Sequence, residues 1–216
     1  MRLPFEFGPD GLPWFYADVP TITLRDGLAA TLGAARDGLL TYGYADAVRL
    51  AGHSCPTVAG AYLMTLRGLQ ALYGDEVPRR GEMEVLMSQE RDSGTTGVIG
   101  SIATLITGAA NELGFGGLGG HLHRRRHLLS YGGRFDGVMA IKRRDSGQVA
   151  QLSYRPDVVP FEGAAELQSL LPLVINGTAD ERQRRRFGQL WQWRVCLILT
   201  EGRDHPDLVS VQRFQD

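Results

Sequence analysis

The sequence predicts an α+β protein with a mixed, mostly antiparallel sheet packed by helices. Three observations carry this. Apolar residues recur at helical spacing along 56–72. They alternate along 82–89, as a strand requires. The segments run helices, strand, helix, strands, helices, which is not the repeating order of a parallel α/β sheet.

Taken in order, residues 1–22 carry Pro4, Pro9, Pro13 and Pro20 among the aromatics Phe5, Phe7, Trp14, Phe15 and Tyr16. That pattern predicts an extended arm packing by its aromatic rings. The rest, 23–216, is expected to form one α+β domain. Leu28, Leu32, Ala35, Leu39 and Leu40 predict helix within 23–50, interrupted by Gly27, Gly33 and Gly38, with a short helix continuing from Tyr44. Pro56 suits the first turn of a new helix, where its missing N–H costs nothing. Val58, Ala61, Tyr62, Met64, Leu66, Leu69 and Leu72 extend it to Gly74, predicting a helix over 56–73.

Met83, Val85 and Met87 predict a strand over 82–89. A polar loop at 90–96 leads to an apolar helix over 97–113, then to a loop with glycines at 114, 116, 117, 119 and 120. Segments 128–131, 135–143 and 149–154 predict strands, with Gly132-Gly133 and Ser146-Gly147 as hairpin turns. Helices over 163–175 and 180–200 and a strand over 208–214 close the chain. A capping box from Thr178 to Glu181 is expected to open the second helix.

Composition narrows the function classes. Of 216 residues, 28 are glycine, and the net charge is -1, so no global field draws the chain to nucleic acid. The runs Arg124-Arg125-Arg126 and Arg184-Arg185-Arg186 are expected to be solvated surface charge. No segment reaches the ~20 apolar residues that span a bilayer, and residues 1–10 lack the pattern of a signal peptide. A cytoplasmic protein is expected, with neither nucleic acid nor membrane as partner. The surplus glycine marks turns or close backbone approach.

The sharpest chemical feature is Gly52-His53-Ser54-Cys55-Pro56. Cys55 falls at the N-cap of the 56–73 helix, where free N–H groups and the helix dipole favour a thiolate. His53, two residues earlier, aims at the same point if the segment is extended. A buried structural cysteine beside a hydrogen-bonded histidine is the competing reading. His121 and His123 share one face of an extended chain and could chelate one ion; in a helix, His123 would pair with His127 instead. A solvated basic turn competes there. Together His53, Cys55, His121 and His123 make a ligand set for Zn or another divalent transition metal. Three protein ligands would leave a position open. Ser93, Thr95 and Thr96 are expected to cap the helix that follows them.

The order of segments resembles the FmdE-like family, named for a component of formylmethanofuran dehydrogenase. Ala51-Gly52-His53-Ser54-Cys55-Pro56 is similar to its G-H-x-C-P-G opening. Leu105-Ile106-Thr107-Gly108 resembles its L-T-G turn, Ser130-Tyr131-Gly132-Gly133 its D-Y-G-K, and Leu190-Trp191-Gln192 part of its closing helices. The likeness runs over about 25–214. It implies an α+β core, a homodimer and a metal site at His53 and Cys55. Ser93 and Ala109 stand near the places where the family often has cysteines and replace no thiolate, and the family's C-terminal zinc module is not in this sequence. His121 and His123 are then expected to supply the missing ligands.

The function expected is therefore metal binding, in the service of metal-dependent redox enzymes. Two alternatives stand beside it. One is an enzyme with Cys55 as catalytic nucleophile, or with metal-activated water. The other is haem or another cofactor held through the Cys55 thiolate.

Overall fold

The computed structural model describes residues 6–215 and is an α+β fold. The longer helix expected from Thr23 gives way to β1 (Ile22–Asp26), α1 (Gly27–Thr31), a 3-10 turn at Arg36–Gly38 and β2 (Leu39–Tyr42), while the short helix expected from Tyr44 is present as α2 (Tyr44–Ala51). The glycines break the helical pattern, and Asp26 caps α1 by accepting from the Leu28 and Ala29 amides. β1 pairs antiparallel with β2 and parallel with the two-residue β3 (Arg79–Arg80).

α3 runs Pro56–Tyr73, as the apolar pattern predicts, and is buried on nearly every face. An all-round apolar helix belongs in the middle of a core. β4 (Met83–Met87) follows, then α4 (Thr96–Thr107). α4 stops six residues short of the expected end, because Gly108 takes a left-handed conformation and terminates it. The hydroxyls of Ser93 and Thr96 bond Gln89 rather than capping the helix amides.

The second sheet holds β5 (Leu129–Ser130), β4, β6 (Met139–Arg143), β7 (Gln148–Tyr154) and β8 (Val209–Gln215), in the order β5-β4-β6-β7-β8. β4–β5 is parallel; the other three pairings are antiparallel. Gly132-Gly133 is therefore no hairpin turn. Its amides bond Gln89 and Met87 beside the end of β4, and β6 enters on the other side of that strand. α3 lies against β6, β7 and β8.

The chain closes with α5 (Ala164–Ile175) and α6 (Glu181–Leu199). The box that opens α6 is Asp180 with Gln183, displaced toward the helix from the expected pair. At the other end, residues 1–5 of the expected arm lie outside the described residues. Phe15 and Tyr16 from a 3-10 turn at Trp14–Asp18 are buried in the core. Among the described residues, no helix is long and apolar enough to cross a membrane.

Candidate functional site at the α2–α3 turn

Gly52 ends α2 in a left-handed conformation, and Cys55 is the N-cap of α3 in extended conformation. Between them the chain turns sharply at His53 and Ser54. The Cys55 sulfur accepts the Val58 amide at 3.5 Å, and the residue is 8% exposed among the core side chains.

His53 is exposed. Its Nδ1 lies 3.0 Å from the Ala51 carbonyl oxygen. A carbonyl can only accept, so Nδ1 is the donor, and in the neutral ring Nε2 then holds the lone pair. The Nδ1 bond goes to Ala51, and among the described residues no hydrogen bond joins the His53 ring to the Cys55 thiol.

The turn is fastened from three directions. Trp191 and Gln192 of α6 both donate to the Ser54 carbonyl, at 2.9 and 3.3 Å. The hydroxyls of Tyr44 and Ser54 lie 2.9 Å apart, and Tyr154 donates to the Pro56 carbonyl at 2.9 Å. Burial pushes the phenols of Tyr44 and Tyr154 well up, so both remain protonated. Tyr16, raised for the same reason, donates to the Gln192 side chain. Ser54, Tyr44 and Gln192 are site residues that ligand chemistry alone does not pick out. Their role is positional, and no metal-ligand spacing marks them.

The second candidate region is built differently. His121 Nδ1 donates to the Gly119 carbonyl at 3.0 Å, while His123 Nε2 lies 2.9 Å from the Thr31 hydroxyl on α1. His123 and His127 both have positive φ, so the segment is neither the strand nor the helix in which two imidazoles would align. Among the described residues, no three His, Cys, Asp or Glu side chains group in a way that could hold a metal. The structure thus does not assemble His53, Cys55, His121 and His123 into one ligand set.

What holds the 114–127 loop is Arg125. The run Arg124-Arg125-Arg126 is surface charge only at its two ends; the middle guanidinium is buried. It donates to Asp26 Oδ1 and to the Arg80 carbonyl, both at 2.6 Å. Arg80 donates to Asp26 Oδ2 at 2.8 Å and to the carbonyls of Leu105 and Ile106 at the end of α4. Burial pushes the Asp26 carboxyl up. The bonds from Arg80 and the Ala29 amide, with both positive charges, outweigh burial and leave it below the usual value.

Gly81 makes room for this arrangement. Its φ is +81°, and a Cβ there would lie 1.0 Å from Arg125 Nη1. Fifteen of the 28 glycines have positive φ, so turn-making accounts for most of the surplus.

A cleft of about 320 Å³ opens beside the end of α2, lined by Leu50, Leu105, Asn111 and Tyr131 among others. Its lining holds no charged side chain, histidine or cysteine.

No protein-family model matches the chain, and no curated protein matches it.

Proposed function

We propose that the chain binds a transition metal, zinc or a similar divalent ion, through the α2–α3 turn. His53 and Cys55 are its two protein donors. The observation that carries this reading is the His53–Ala51 bond: it fixes the tautomer and leaves Nε2 free, two residues from a sulfur. Metal-ligating histidines characteristically donate their other ring nitrogen to such a partner. One imidazole and one sulfur suit a borderline ion. Two donors are fewer than the four that zinc takes. The remaining positions belong to water or to groups from another molecule.

The FmdE-like resemblance supports the same two residues. Both cysteines are free thiols, in keeping with a reducing cytoplasm. The role of such a protein is to carry, sense or deliver the metal to a redox enzyme. When bound, the ion supplies Lewis acidity at this turn. The chain's own part is to hold the donors, with α6 and Tyr154 fixing the backbone on either side of Cys55.

The test separates ligation from capping. Serine is a good N-cap but a poor zinc ligand. Cys55→Ser is expected to keep the melting temperature within a few degrees while zinc, measured by elemental analysis after equilibration and desalting, is lost. His53→Ala is expected to lose zinc too, and the His121→Ala/His123→Ala pair to retain it. Equal zinc in wild type and Cys55→Ser would overturn the proposal.

A further inference from the structure

The two faces of the second sheet differ in what lies on them. α3 covers one. A Cβ on its Gly60 would lie 2.4 Å from the Tyr154 ring, and one on Gly68 2.9 Å from Ile141 Cδ1. The neighbouring residues on those strands point the other way. The register lays out that outer face in two rows. Leu86, Ala140 and Gln151 stand side by side across β4, β6 and β7. Glu84, Lys142, Val149 and Phe214 form the next row, which ends on β8. Ala140 is the shortest side chain of the two rows and stands among longer ones, so the face dips there.

The chain between β5 and β6 walls the dip. The Gly133 amide donates to the Met87 carbonyl, and a Cβ on Gly133 would lie 2.7 Å from Leu86 Cγ. Only glycine lets the backbone lie so directly on Leu86, and this sets Arg134 and Phe135 at the edge of the groove. The groove holds about 470 Å³ and no helix residue lines it. Small-molecule sites run to roughly 300–1,000 Å³. Phe135 and Phe214 both line it, and neither ring stacks on another among the described residues. The charges are unequally engaged. Arg144 faces the Glu84 carboxylate at 3.6 Å, and Lys142 stands opposite Glu84 in the register. Arg134 is exposed and makes no hydrogen bond or ion pair with any described residue.

We infer that this groove binds a small aromatic carboxylate. Its flat ring system lies on the apolar floor of Leu86, Ala140 and Val149, against Phe135 and Phe214, and its carboxylate meets Arg134. Each part of the ligand answers a part of the lining. Aromatic rings prefer the faces and edges of other rings, and two such rings are open here. A guanidinium takes a carboxylate in bidentate fashion. One guanidinium balances the single charge of a carboxylate and not the nearly double charge of a phosphate. Neither His53 nor Cys55 lines the groove, so this site is separate from the metal reading.

The experiment is isothermal titration calorimetry with naphthoate, with EDTA present throughout so that metal plays no part. Wild type is expected to bind it saturably with a Kd below about 1 mM. Naphthamide, its neutral counterpart, is expected to bind at least about tenfold more weakly, for want of the charge-assisted bond. Arg134→Gln is expected to weaken naphthoate by the same factor and to leave naphthamide unchanged. Its melting temperature should be kept, because the side chain is exposed. Phe214→Ala is expected to weaken both ligands. Arg124→Gln, at an exposed arginine of the 114–127 loop, is expected to weaken neither. No saturable binding of naphthoate up to about 5 mM overturns the inference. So does equal affinity in wild type and Arg134→Gln, or tighter binding of AMP than of naphthoate.

Discussion

The two histidine-bearing turns differ in what holds them. At 52–56 the backbone is fastened through neutral donors: an indole, an amide and a phenol on the carbonyls of Ser54 and Pro56. His53 is left at the surface with one free nitrogen. At 114–127 the fastening is ionic and buried: Asp26, 3% exposed, takes Arg80 and Arg125 together with two backbone amides. The imidazoles there lie at the rim of a structure that an arginine maintains. Neutral hydrogen bonds contribute modestly each, whereas a buried ion is costly to leave alone. The first turn can therefore lose one fastening at little risk to the fold, and the second cannot be altered cheaply.

The largest effect that could break this contrast is Asp26→Ala. It leaves two guanidinium groups facing each other without a counter-charge, and is expected to cost about 3–5 kcal/mol, read as a lower urea midpoint at constant slope. The same carboxylate sets an acid limit. Its folded pKa lies below its unfolded value of ~3.9. Its stabilisation is complete above that value and is lost as pH falls toward the folded pKa. Asp26→Asn is expected to flatten that part of the stability curve between pH 5 and the acid transition, and an unchanged acid slope would assign the limit elsewhere.

Arg125→Ala comes next. Asp26 keeps Arg80, so the loss is expected at about 2–3 kcal/mol, the scale of a charged hydrogen-bonded group. Its exposed neighbours should behave differently. Arg124→Ala and Arg126→Ala are each expected within about 0.5 kcal/mol of wild type. Three equal losses would dissolve the distinction between the middle arginine and its flanks. At the first turn, Trp191→Phe removes one neutral hydrogen bond to Ser54 and is expected to cost about 1 kcal/mol. A cost as large as that of Asp26→Ala would mean the two turns are not fastened differently after all.

Much of the first turn is legible in the sequence. Pro56 at the head of an apolar stripe marks α3 from end to end, and it places Cys55 at the cap. The cap and the helix are local, and local signals survive in a single sequence. Arg125 is not legible. Its carboxylate partner is 99 residues away, and three arginines in a row carry no mark of which one turns inward. The region of β1, α1 and β2 departs from its helical pattern for a related reason. Its leucines fall at helical spacing, but strand pairing between Leu24 and Leu40 decides the structure. The N-cap role of Asp26, followed by Gly-Leu-Ala-Ala, is the one local clue there.

The indole bond joins the middle of α6 to the Ser54 carbonyl, so any shift of that helix is felt at the α2–α3 turn. Trp191 also carries its own lamp. With Trp14 and Trp193 replaced by Phe, its emission alone reports whether the helix shifts against the turn.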